Sequence, residues 1–282
     1  MYASSTKVSN FERIFISLNA IVSGIVLTFL AVEGPLILNK LTYKTSPSSI
    51  YQIQGQDLIN LILLSPLLII GGMLLLFKKE SYKYFLILTP LTVIYYVLSY
   101  TIGMEWSHPT YSGNSEKYAY YFLYLLISSL LILFYTLPAF RGVTMNFKKR
   151  NLAVYSIICI VFSLMFASMW LKEVNEVVVN GISKTYNDAP TVFWVIRYFD
   201  LGFSIPLMLL STYLLWTRPH SSFSIQMLSY GFFITMITAV IAMGICMLIN
   251  GDPLATIQQL LFFCALGIIV YSGFIFILRS VK

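Results

Sequence analysis

With 58% hydrophobic and only 10% charged residues over 282 positions, and a mean hydropathy of +0.81, the chain has too much apolar surface for a water-soluble fold, where about 25% of residues are charged. The formal charge of +7 is scattered over short polar segments, which argues against nucleic acid as a partner. Cys159, Cys246 and Cys264 lie in apolar runs without C-x-x-C spacing, and His108 and His220 fall between runs, so no disulfide framework, metal site or cofactor is expected.

A membrane helix needs about 20 apolar residues to cross about 30 Å of hydrocarbon. Eight runs meet that requirement: 14–32, 58–77, 84–104, 118–140, 151–171, 191–216, 225–249 and 256–278. Seven contain no Asp, Glu, Lys or Arg, and the sixth carries Arg197 and Asp200. The expected fold is therefore an all-α membrane protein, a bundle of eight transmembrane helices in a lipid bilayer. The first run is read as a retained helix rather than a signal peptide, because Val32-Glu33-Gly34-Pro35 is a poor cleavage site.

Eight spans put both termini on one side, together with Lys7, Arg13, Lys78, Lys79, Lys83, Arg141, Lys148, Lys149, Arg150, Arg218, Arg279 and Lys282. The opposite side receives Lys40, Lys44, Lys117, Lys172 and Lys184. Lys and Arg are retained in the cytoplasm, so both termini are expected there.

Sliding the chain by 143 residues aligns Glu33 with Glu176, Thr42-Tyr43 with Thr185-Tyr186, Pro47 with Pro190, Ile53 with Ile196, and Asp57-Leu58 with Asp200-Leu201. The shift carries the second span onto the sixth. It predicts two parallel four-helix repeats, 14–140 and 151–282, joined by a basic cytoplasmic linker over 141–150 and preceded by a cytoplasmic tail over 1–13.

Within the aligned stretch, Pro47 and Pro190 each follow a turn-like segment, the pattern of a helix with Pro in its first turn. Asp57 and Asp200 lie ten residues further on, about 15 Å along the axis. A charge inside a membrane usually faces a bundle interior or a cavity. Asp57, Gln54, Gln56, Arg197 and Asp200 are thus the candidate binding residues, and Arg197 is placed to pair with Asp200 one turn later. The rival reading leaves Asp57 at the headgroup boundary and makes Arg197 a packing neutraliser. Glu33, Glu176, Tyr96 and Tyr100 are secondary candidates. The carboxylates sit at outer helix ends where hydration is normal, and the tyrosines fit an interfacial aromatic belt. Pro66 and Pro206 each remove a backbone hydrogen bond inside a paired helix and are hinge candidates.

The sequence has no H-E-x-x-H, no G-x-S-x-G, no nucleotide-binding G-x-x-x-x-G-K-[ST] and no arginine ladder. Gly55-Gln56-Asp57-Leu58, then Ser65-Pro66-Leu67-Leu68 and a basic turn at Lys78-Lys79, resembles a group of uncharacterised multi-pass integral membrane proteins of bacteria and archaea with a G-Q-D, P-L-L second helix. The resemblance covers about a fifth of the chain. It implies a prokaryotic plasma membrane and no activity.

Three functions fit these features. The first is a small-solute or ion transporter, or a binding component, with an outward site between the repeats for a solute, cation or proton. The second is a non-transporting partner acting in assembly, sensing or immunity. The third is a metal-free lipid-modifying enzyme using Asp57 and Asp200 as acid and base, which requires the two carboxyls to lie near each other.

Overall fold

A computed structural model describes residues 10–281, so Lys7, Lys282 and positions 1–9 of the expected tail lie outside it. Among the described residues eight helices are long and apolar enough to cross a membrane: α1 Asn10–Glu33, α2 Pro47–Leu76, α3 Tyr82–Thr101, α4 Ser115–Phe140, α5 Lys149–Asn180, α6 Pro190–Thr217, α7 Phe223–Ile249 and α8 Ile257–Arg279. Among the described residues no strand forms, only an isolated bridge between Met145 and Val281. The chain is a polytopic all-α membrane protein.

Local chemistry sets the helix ends. Ser46 accepts the Ser49 amide and Pro47 occupies the first turn, whose missing N–H would be unpaired in any case. Thr256 and Gln259 form a reciprocal capping box that starts α8. Gly181 ends α5 at φ 73°, a left-handed conformation glycine adopts without a Cβ penalty. Helix α1 begins by Asn10, inside the stretch expected to be a tail, and α5 runs nine residues beyond its expected end at 171. Lys172, Glu173 and Glu176 interrupt the apolar run without interrupting the helix, because backbone hydrogen bonding does not require apolar side chains.

Large apolar side chains on the outer surface fit lipid. Along α1, Ile14, Leu18, Val22, Ile25 and Phe29 form an exposed stripe at helical spacing, while Ala20, Leu27 and Leu30 are fully buried. Small residues allow close crossings: a Cβ added at Gly24 would meet Ile69 and the Ser65 carbonyl, and one at Gly72 would meet the Ser17 carbonyl. Helix α2 is shared between two partners, its first half packing on α7 and its second half on α1.

Among the described residues two large buried clusters follow the chain, and a small third one joins Ile59 of α2 to Ala239 and Ala242 of α7. Of the large clusters, one gathers residues of α1–α4 and the loop bearing Leu41 and Tyr43; the other gathers residues mainly of α5–α8, with Ile87 and Phe140. The expected hinge prolines each follow a π turn, Asn60–Leu64 before Ser65-Pro66 and Asp200–Ser204 before Ile205-Pro206. In both, the amide five residues on closes the wide turn, Ser65 to Asn60 and Ile205 to Asp200. A proline ring clashes with the carbonyl four residues earlier, and widening the preceding turn accommodates it.

A cavity and two separated carboxylates

On the face opposite the ends of the described chain, the starts of α2 and α6 are tied together. Ser46 Oγ donates to Asp188 Oδ2 at 2.5 Å, and the Tyr111 hydroxyl donates to the Asp188 carbonyl at 2.8 Å. Glu105, only 4% exposed, accepts the Thr191 amide at 2.7 Å, the Val192 amide at 3.2 Å and the Thr191 hydroxyl at 2.7 Å. A carboxylate from another segment therefore caps α6, where Ala189 offers no capping side chain and the helix dipole favours negative charge.

Beneath these ends lies a cavity of about 360 Å³, walled by all the helices from α5 to α8 together with α3 and the first part of α2. Its walls are largely apolar, with Phe162, Phe166, Phe232, Phe233 and Phe263, and methionines including Met236 and Met243. Polar groups are few: Gln52, Gln56, Ser99, Ser163, Gln259 and Asp200 among them. Sites for small molecules commonly combine an apolar wall with a few placed polar groups.

Asp200 begins the π turn of α6 and is partly accessible. Its Oδ1 accepts the Tyr95 hydroxyl at 3.3 Å and the Ser204 hydroxyl at 3.2 Å. Arg197 does not take Asp200 as its ion-pair partner, contrary to the spacing argument. Its guanidinium pairs with Glu173 of α5, and lies 4.3 Å from the Trp170 ring centre and 4.0 Å from that of Phe193. A flat cation held between two rings can reach a carboxylate on the neighbouring helix, so the contact across helices replaces the contact along one. Arg197 therefore has Glu173 as its ion-pair partner while still acting electrostatically on Asp200, whose carboxylate is the charged side chain that lines the cavity.

Asp57 is placed differently. It is fully buried at 0% exposure and is not part of the cavity wall. Tyr96 and Tyr100, which do line the cavity, each interact electrostatically with Asp57. Adjacent tyrosines thus serve different carboxylates: Tyr95 donates to Asp200, and Tyr96 interacts electrostatically with Asp57.

Among the other candidates, Gln56 lines the cavity and donates to Asn60 Oδ1 at 2.8 Å. Gln54 turns to the loops, donating to the Pro35 carbonyl and accepting from Asn250. Glu33 pairs with Lys40 at 3.3 Å and accepts from Tyr118. Glu176 is exposed. The sequence reading missed Glu105 and Glu173. The helical spacing Trp170-x-x-Glu173 places an aromatic and a carboxylate on one face, which is the signal that was available for the second.

Fold and site together define a polytopic membrane protein with a largely apolar internal cavity bearing a carboxylate. Comparison with known protein families, curated proteins and solved structures finds no match to this chain.

Proposed function

We propose that the protein is a small-solute transporter, or the solute-binding component of one, and that its solute is a hydrophobic organic cation held in the cavity. The observation that supports this most strongly is the lone carboxylate of Asp200 in an aromatic and methionine-lined space, with Arg197 ion-paired to Glu173. Aromatic faces attract cations, and a low-polarity surround strengthens the pairing with a carboxylate. Interrupted helices are where transporters of other folds build their sites, and the π turn at Asp200 is such an interruption.

In this reading the chain works as two four-helix halves, 14–140 and 151–282, and the cavity lies where they meet. Both chain ends face the cytoplasm of a prokaryotic cell and the cavity is reached from outside. The distribution of Lys and Arg supports that orientation.

The test is binding of tetraphenylphosphonium to the purified protein, compared with tetraphenylborate, which matches its shape with the opposite charge. Saturable binding of the cation alone is expected, with affinity falling at least about tenfold in Asp200→Asn, the loss of one charged contact. Equal binding of both ions, or none of either, would sink the proposal and favour the non-transporting partner. Uptake of the same cation into proteoliposomes then separates transport from binding.

A further inference from the structure

A second polar centre lies behind the cavity wall. The two carboxylate oxygens of Asp57 have no hydrogen-bond partner of normal geometry among the described residues, although the Leu36 amide lies close enough to interact with them. Oδ2 sits against Gly34, where an added Cβ would overlap the carboxylate. Gly34 directly follows the last residue of α1, at the end of a helix that carries partial negative charge. The position therefore repels a bare anion. The ion pairs that join Lys40 to Glu33, Lys83 to Glu80 and Arg197 to Glu173 do not supply Asp57 with a cation.

The surroundings are rich in oxygen and short of partners. The hydroxyls of Tyr43 and Tyr96, on residues only 2% exposed, have no hydrogen-bond partner of normal geometry among the described residues, although they lie close enough to interact with each other, and both side chains interact electrostatically with Asp57. A buried ionised carboxylate is tolerated when paired, and is otherwise among the most costly groups to place inside a protein. Among the described residues no three His, Cys, Asp or Glu side chains come together as a multivalent-metal site would need, and a single carboxylate balances one positive charge. Oxygen donors select hard cations.

We infer that Asp57, with the hydroxyls of Tyr43 and Tyr96, forms a site for one hard monovalent cation. The site stands apart from the cavity reading, since it uses a different carboxylate. It also gives Gly34 a role, because only a residue without a side chain leaves that space.

Thermal unfolding of the full chain in detergent tests this, with lithium, sodium or potassium chloride titrated against choline chloride at constant ionic strength and pH. At least one alkali cation is expected to raise Tm saturably by several degrees, as a ligand bound only by the folded state does. Asp57→Asn should abolish the response. Tyr96→Phe, which keeps the ring and removes one donor oxygen, should raise the half-saturating concentration by roughly tenfold. Asp200→Asn should keep the full response, which separates this site from the cavity. No difference between any alkali cation and choline, or a response that survives in Asp57→Asn, would overturn the inference. So would an infrared band of a protonated carboxyl, absent in Asp57→Asn, that persists unchanged at every alkali concentration.

Discussion

Thr92 of α3 and Thr235 of α7 share a hydrogen bond, their hydroxyl oxygens 2.5 Å apart and their positions separated by 143 residues. Thr235 donates to the Gly231 carbonyl at 2.7 Å, so its single proton is occupied and Thr92 is the donor between the helices. Directly beside this contact, an ideal Cβ at Gly231 would lie 2.5 Å from the Cα of Leu88, again 143 residues away. These helices meet backbone to backbone.

Gly231→Ala should therefore destabilise the protein by about 1–3 kcal/mol, because rigid backbone rather than a movable side chain must give way. Gly202→Ala, where nothing lies within 4 Å of the added carbon, should be neutral or stabilising by up to about 1 kcal/mol. A double-mutant cycle of Thr92→Val and Thr235→Val should give a coupling near 0.6–1.5 kcal/mol. Unfolding in mixed micelles measures all of these. Equal effects at Gly231 and Gly202 would contradict the close crossing.

The ion pair between Arg197 and Glu173 joins α6 to α5 at the cavity's edge. The Arg197 side chain is 8% exposed and that of Glu173 30%, so solvent screens part of the interaction. Arg197→Gln or Glu173→Gln alone should cost about 1–3 kcal/mol, below the 3–5 of a fully buried pair. The double variant should cost less than the sum, since neither charge is then left alone. Additive losses in the same unfolding assay would show that the groups act independently.

The sequence displays the eight spans because the length of an apolar run is a one-dimensional property, and a charge-free stretch of about 20 residues has few alternatives to a membrane helix. The prolines at 47 and 190 likewise mark helix starts through local backbone chemistry, and both helices begin there. What a single strand of sequence does not display is the partner across a helix–helix contact. Arg197 has Asp200 three residues away and Glu173 twenty-four residues away, and the more distant carboxylate takes the pair. Asp57 and Asp200 occupy aligned positions in sequence, yet one is fully buried outside the cavity wall and the other lines the cavity, because the two helices pack against different surroundings. The π turns were hidden for the same reason: proline predicts a lost hydrogen bond, but not how the preceding turn adjusts.

Glu105 caps α6 from the segment between α3 and α4. Glu105→Ala leaves the Thr191 and Val192 amides without their acceptor and should cost about 1–2 kcal/mol, in line with other helix caps. Glu105→Gln retains an acceptor oxygen and should cost less. Hydrogen exchange at these two amides provides a local check: protection should fall in the alanine variant first, while amides in α1 keep theirs. Unchanged exchange at Thr191 and Val192 would remove Glu105 from this role.

Tyr43 makes alkaline stability a further measurable property. Burial pushes its phenol well above the ordinary value near 10, and the charges of Tyr96 and Asp57 add to the shift. The folded state thus holds the Tyr43 proton more tightly than the unfolded chain. The corresponding stability is fully present below about pH 10, and is lost as pH rises from the unfolded value towards the folded one. Unfolding midpoints should fall steeply above that pH in the native protein. Tyr43→Phe removes the titrating group, so its midpoint should fall less over the same range. Because the ring also packs 5.7 Å from that of Tyr100, phenylalanine preserves the contact and isolates the hydroxyl's effect. Parallel pH profiles for the two proteins would mean that Tyr43 ionises as freely in the fold as outside it.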